Sequence, residues 1–225
     1  MECVTPMADP ADAFDTVHVD EHLLVLNKPS GLLSVPGRGE DKQDCLSRRV
    51  QARYPDALIV HRLDMATSGL MLMAIGPTMQ RALSGLFERR EVHKCYQAVV
   101  AGHAETGLAR TEWALMDGPI AVDWPRRPLR IIDPVQGKPS QTRWRLVSHD
   151  AQSNTTRVEL EPITGRSHQL RVHLQALGHA ILGDALYGGP RVQELSTRLL
   201  LHASALAFDH PLDNRCMEFA SPAPF

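Results

Sequence analysis

The stretch His61-Arg62-Leu63-Asp64-Met65-Ala66-Thr67-Ser68-Gly69 decides how the rest of this chain is read. Apolar runs flank it, Ala57-Leu58-Ile59-Val60 before and Leu70-Met71-Leu72-Met73-Ala74-Ile75 after. Short apolar runs bounded by turn formers predict buried strands. The nine residues between them are mostly polar or small, so they form a loop held on a rigid frame, where reactive side chains are commonly placed. Asp64 is the only carboxylate between Asp56 and Glu88. The residues alone fit two readings. Asp, Thr, Ser and Gly are ordinary turn formers, because they bond nearby backbone or accept positive φ. The same residues also put one acid, two potential cations and two hydroxyls in a single turn.

Length and composition narrow the classes. At 225 residues the chain has room for one sizeable domain or two small ones. Its 43% hydrophobic and 22% charged residues are those of a globular protein. No apolar run approaches the ~20 residues that span a bilayer. Met1 to Asp15 holds four acids and no base, unlike a signal or transit peptide, so the expected location is the cytoplasm. Cys3, Cys45, Cys95 and Cys216 form no CxxC pair, which argues against structural zinc and a disulfide framework. The net charge of -2 divides unevenly, about -6 over residues 1–47 and +4 over 48–225. That leaves room for a basic face toward phosphates.

Working outward, residues 1–14 read as a flexible tail and 15–225 as one domain. Strands are expected at Thr16–Asp20 and His22–Asn27, followed by a Pro- and Gly-punctuated loop from Lys28 to Gly37. Residues 43–53 predict a short basic helix, and Pro77 opens a second one to about Arg90. Further strands are expected at Lys94–Gly102, Gln141–Ser148, Thr155–Glu161, Leu199–Phe208 and Met217–Ala220. Gly165 to Leu177 turns into a helix, and 103–139 reads as irregular. Strands that adjoin with few intervening helices predict an α+β domain with a largely antiparallel sheet.

The segment His61 to Leu70 resembles the signature of the RluA family of pseudouridine synthases. That resemblance implies an isomerase that turns uridine into pseudouridine in RNA, with Asp64 as its essential residue. It also implies a mixed sheet split by an active-site cleft. Three further segments resemble family signatures in the expected order. Lys28-Pro29-Ser30-Gly31 matches an early lysine-proline-x-glycine segment and makes Lys28 a candidate for substrate binding. Lys94-x-Tyr96 matches the segment of an active-site tyrosine, whose ring can stack on uracil and whose hydroxyl can pass a proton. Thr164-Gly165-Arg166-x-His168-Gln169 matches a later signature, by which Arg166 would pair with Asp64. Asp123-Trp124-Pro125-Arg126-Arg127-Pro128 resembles an insert of one branch, which acts on both 23S ribosomal RNA and tRNA anticodon stem-loops. On that resemblance Arg126, Arg127 and Arg130 lie along RNA phosphates with Lys138 nearby; Arg62, next to Asp64, is expected to fill the space that a flipped base vacates or to hold the displaced phosphate.

The chemistry sets its own requirements. The isomerisation is redox-neutral and loses no group, so it needs no cofactor. It needs a carboxylate at the sugar–base junction, acting as nucleophile or as base. A desolvated carboxylate takes up a proton unless a cation holds it. Two competing classes fit less well. Glycoside hydrolysis uses a pair of carboxylates, and none stands near Asp64 in sequence. A non-catalytic RNA binder has no use for a desolvated acid facing an anionic ligand. His61, His168 and His173 do not have the spacing of a helical metal motif, so no metal is expected.

Overall fold

The computed structural model describes residues 15–104 and 112–225. The expected tail at 1–14 therefore lies outside the described residues. Among the described residues, ten strands form one sheet whose main path runs β1(Asp15–Val19), β2(Leu23–Lys28), β4(Ser68–Ile75), β11(Leu201–Asp209), β5(His93–Ala101), β10(Thr155–Pro162), β9(Gln141–Asp150), β6(Ala114–Asp117). β3(Ala57–Ile59) joins β4, and β12(Cys216–Ala220) joins β11. Only β4 and β11 run parallel; the other named pairings are antiparallel. This is the mixed, mainly antiparallel α+β sheet that the sequence predicts.

Burial on both faces explains the apolar runs. In β4, Leu70, Leu72 and Ala74 pack with Leu23 and Val25 against Met79, Leu83 and Leu86 of α2(Gly76–Arg89). Met71 and Met73 face the other way, onto Leu24, Leu26, and Leu46 and Val50 of α1(Leu46–Arg53). A strand covered by helices on both faces has no polar side, so it shows no alternation. α2 opens on Pro77, and its buried residues recur at helical spacing.

The sheet splits beside the quoted loop. β11 pairs with β4 only at His202–Ser68 and Ala203–Gly69, and further along the same edge it pairs with β12. The contact at Gly69 is close enough to require glycine. Its φ is 113°, and a Cβ there would stand 2.3 Å from the Ala203 carbonyl oxygen. A larger residue would push β4 from β11 and displace the loop before it.

The stretch expected to be irregular contains more structure than predicted. β6 extends the sheet, and β7(Ile120–Val122) pairs with β8(Arg130–Ile132) in a separate two-stranded hairpin. Strands of three or four residues among Pro and Gly carry too little periodicity to be read. The helix after Gly165 begins later than expected, as α3(Gln169–Ala176). A further short helix, α4(Gly189–Gln193), follows. No described helix is long and apolar enough to cross a membrane.

Candidate active site

The loop 61–67 lines a cavity of about 590 Å³ together with the end of α2, the start of β5, the turn into α3, and Leu201. Its backbone is pinned from behind by the segment after β2. Lys28 Nζ donates to the carbonyls of Pro29 (2.8 Å), Leu32 (2.7 Å) and Met65 (3.0 Å). Ser30 Oγ donates to the Ala66 carbonyl at 2.7 Å, and Gly31 N–H to that of Met65 at 2.9 Å. Ser34 Oγ both donates to the Leu63 carbonyl (2.7 Å) and accepts from its N–H (3.1 Å).

This overturns the expectation that Lys28 binds substrate. Its side chain is fully buried, and three carbonyls occupy the three N–H bonds of its ammonium. Burial lowers its pKa to about 8, against the opposing pull of the Asp64 charge. Three acceptors are the arrangement an ammonium needs, so at neutral pH it is charged and acts as a clamp on the loop.

Asp64 opens onto the cavity, with its side chain 29% exposed. The cation beside it is Arg171, not Arg166. Arg171 Nη1 stands 3.6 Å from Asp64 Oδ2, while its Nε and Nη2 donate to Asp184 at 2.8 and 2.6 Å. Burial would lower the Arg171 pKa, but the hydrogen bonds and charge of Asp184, with the charge of Asp64, outweigh it and raise it. Asp184 also accepts from the N–H groups of Leu186 and Tyr187. The Tyr187 ring lies under Arg171, 5.1 Å from centroid to guanidinium carbon. Arg166 occupies the turn before α3, exposed on the cavity rim, and its Nε points to the Pro139 carbonyl at 3.5 Å.

The physical reason is the position of each arginine relative to the helix. Gln169 is the first residue of α3, and its amide fastens the turn by accepting from Thr164 Oγ1 (2.8 Å) and Arg166 N–H (3.0 Å). That holds the Arg166 side chain outward. Gln169 to Leu174 are all buried, so Arg171 lies in the part of α3 that has no wet side and must find acids inside. The legible signal was Leu170-Arg171-Val172, a charge between core residues, and Asp184 further on.

Tyr96 lies on β5 at the cavity wall. Burial and then the charge of Asp64 push its phenol well above the ordinary range, which keeps it protonated as a donor. His61 Nε2 accepts the Leu72 N–H at 2.8 Å, and its ring stacks on Phe87 at 4.5 Å. Burial, then the charge of Lys94, lowers its pKa to about 3. His168 donates to or accepts from the Tyr187 hydroxyl through Nδ1 at 2.7 Å. His173 is buried between Thr142 and Gly118. These three histidines do not converge, and among the described residues no group of His, Cys, Asp and Glu is arranged to hold a metal ion.

Of the residues expected along RNA, Arg62 is exposed at the cavity. The rest sit on or beside the β7–β8 hairpin, away from the cavity lining. Arg126 pairs with Asp123 at 2.6 Å, and the Arg127 guanidinium lies 3.7 Å over the ring of exposed Trp124. Arg130 Nη1 is held by the carbonyls of Pro128 and Leu129, and Lys138 is exposed.

Asp64, the buried Arg171 beside it and the protonated Tyr96 thus line one cavity next to the split of the mixed sheet. The chain belongs to the RNA pseudouridylate synthase family, whose model matches residues 22–176. It is 48% identical over 209 residues to the dual-specificity RNA pseudouridine synthase RluA of Escherichia coli (strain K12), covering 93% of each chain. It is 46% identical over 221 residues to the protein of that name from Pasteurella multocida (strain Pm70), covering 98% of this chain and 97% of the other. Human RNA pseudouridylate synthase domain containing 1 superposes with a TM-score of 0.78 at 30% identity, over 98% of this chain and 87% of that one.

Proposed function

We propose that this chain converts specific uridines to pseudouridine in stem-loops of 23S ribosomal RNA, tRNA or both, in the cytoplasm, with Asp64, Tyr96 and Arg171 at the reacting nucleotide. The bond from C1′ to N1 breaks, the base turns, and C1′ bonds to C5. The hydrogen at C5 is lost as N1 gains one, so no oxidant or reductant takes part. The observation that carries the reading is the Asp64–Arg171 pair at 3.6 Å. A second carboxylate, Glu88, lines the cavity only at the exposed end of α2, which does not suit paired-carboxylate hydrolysis.

Asp64 and Tyr96 line the cavity, so the reacting base must enter it to meet them. The target uridine must leave its stack, at a cost of a few kcal/mol. The exposure of Arg62 beside Asp64 supports a role in filling the vacated space or holding the displaced phosphate. Arg127 and Lys138 offer charge to phosphates from the hairpin, whereas Arg126 is partly neutralised by Asp123. The resemblance of the 123–128 segment to the branch acting on two RNAs supports a dual target range.

The test is tritium release from 5-tritiated uridine in stem-loop RNA. Wild type should release tritium, and Asp64→Asn should fall to background while still binding the RNA. Appreciable turnover by Asp64→Asn would remove Asp64 from the reaction. Mapping pseudouridine in RNA from cells with and without the protein identifies the target.

A further inference from the structure

Opposite Arg171, the cavity wall is built by the end of α2 and the start of β5, and three cations line it: Arg62, Arg90 and Lys94. Among the described residues the side chains of these three have no hydrogen-bond or carboxylate partner. The contrast with Arg171, which has two acids, is plain.

Lys94 is the half-buried member of the three. Its Nζ lies 5.8 Å from the ring centroid of Phe87, which is itself stacked on His61. Its pKa is lowered by burial first and by the charge of Arg90 second. Glu88 and Asp64 line the same cavity, but neither forms an ion pair with Lys94 or Arg90, and an anion seated between these two cations relieves both the burial and the repulsion.

Arg90 ends α2 with φ of 63°, in the left-handed region. Glycine or asparagine usually takes that place, since a side chain with a Cβ is disfavoured there. Here the position instead puts a long cation on the cavity lining. Strand geometry ties Lys94 to Tyr96. Residues two apart on a strand share a face and stand roughly 6.6 Å apart. That is the scale that separates a nucleobase from its own phosphate. Cys95 between them turns away, to Glu159 on β10.

We propose that Lys94 and Arg90 form a phosphate site for the RNA backbone at the everted nucleotide. Lys94 takes the phosphate of the nucleotide whose base faces Tyr96, and Arg90 takes an adjoining one. The proposal rests on the functional reading above, and it names the part of the substrate that this wall holds.

Binding is measured as a function of salt, on one stem-loop RNA, separately from tritium release. Lys94→Met should weaken binding about tenfold, as expected for one lost charge-assisted contact. It should also lower the slope of log Kd against log salt by about one phosphate's worth. Lys94→Arg should keep the slope. An unchanged slope in Lys94→Met overturns the site. A second arm alters the RNA as well as the protein. RNAs carrying a neutral methylphosphonate at each loop phosphate in turn should include one that wild type binds about tenfold more weakly and that Lys94→Met binds no worse than unmodified RNA. Wild type indifferent to every such replacement also overturns the site. Loss of slope in Lys94→Met without tritium release by wild type would instead sink the isomerase reading and leave the phosphate site standing.

Discussion

Arg171 divides its guanidinium between two acids, gripping Asp184 through Nε and Nη2 at 2.8 and 2.6 Å and facing Asp64 through Nη1 at 3.6 Å. Asp184 is nearly inaccessible to solvent, and Asp64 is open to the cavity. The inner acid fixes the plane of the arginine, so the remaining nitrogen meets Asp64 in one orientation. The longer contact leaves Asp64 room to engage substrate.

Replacing Arg171 should therefore do two things. Arg171→Lys keeps a charge but loses the fork, so Asp64 is held less rigidly and the rate of tritium release should fall about 100-fold. Arg171→Met leaves Asp184 buried without a cation and should cost about 3–5 kcal/mol of stability, read from urea unfolding. Arg166→Lys, at the exposed rim, should stay within a few fold of wild type. Equal losses for Arg166→Lys and Arg171→Lys would contradict the assignment of the partner.

Tyr96 separates stacking from proton transfer. Its phenol is protonated across the working range, because burial and Asp64 both raise it. Tyr96→Phe keeps the ring and Tyr96→Ala removes it. If the hydroxyl passes the proton, Phe should be as slow as Ala while binding RNA better. Near-normal turnover in Phe would leave the ring as a stacking surface only.

Acid stability should report on His61. The folded protein keeps this ring neutral, with a pKa of about 3 against 6.5 for the free group, since Nε2 must accept the Leu72 N–H. Between those values the unfolded chain binds a proton that the folded one does not. Stability from His61 is thus complete above about pH 6.5 and is lost as pH falls toward 3. At pH 5 the loss amounts to at most about 2 kcal/mol. His61→Gln has no group that titrates there, so its urea midpoint should fall less than that of wild type from pH 7 to pH 5. Parallel falls in the two proteins would mean that other groups carry the acid response.

Local sequence determined the strands β2 and β4, α2, and the loop bearing Asp64. It did so because an apolar run of strand length, or buried residues at helical spacing, specifies an element without reference to distant residues. It also showed Asp64 as an isolated acid between core strands, whereas Tyr96 became a candidate only through the resemblance of Lys94-x-Tyr96 to a family segment. Tertiary structure alone decided which arginine meets Asp64. Arg166 and Arg171 are five residues apart and chemically identical. Only the onset of α3 at Gln169 turns one to solvent and the other inward to Asp184. Lys28 is the same case: its place before Pro29 suggests an exposed charge, but the packing of its segment on the loop buries it under three carbonyls. Partners across long sequence separations depend on how whole elements dock, and no local pattern of residue types encodes that docking.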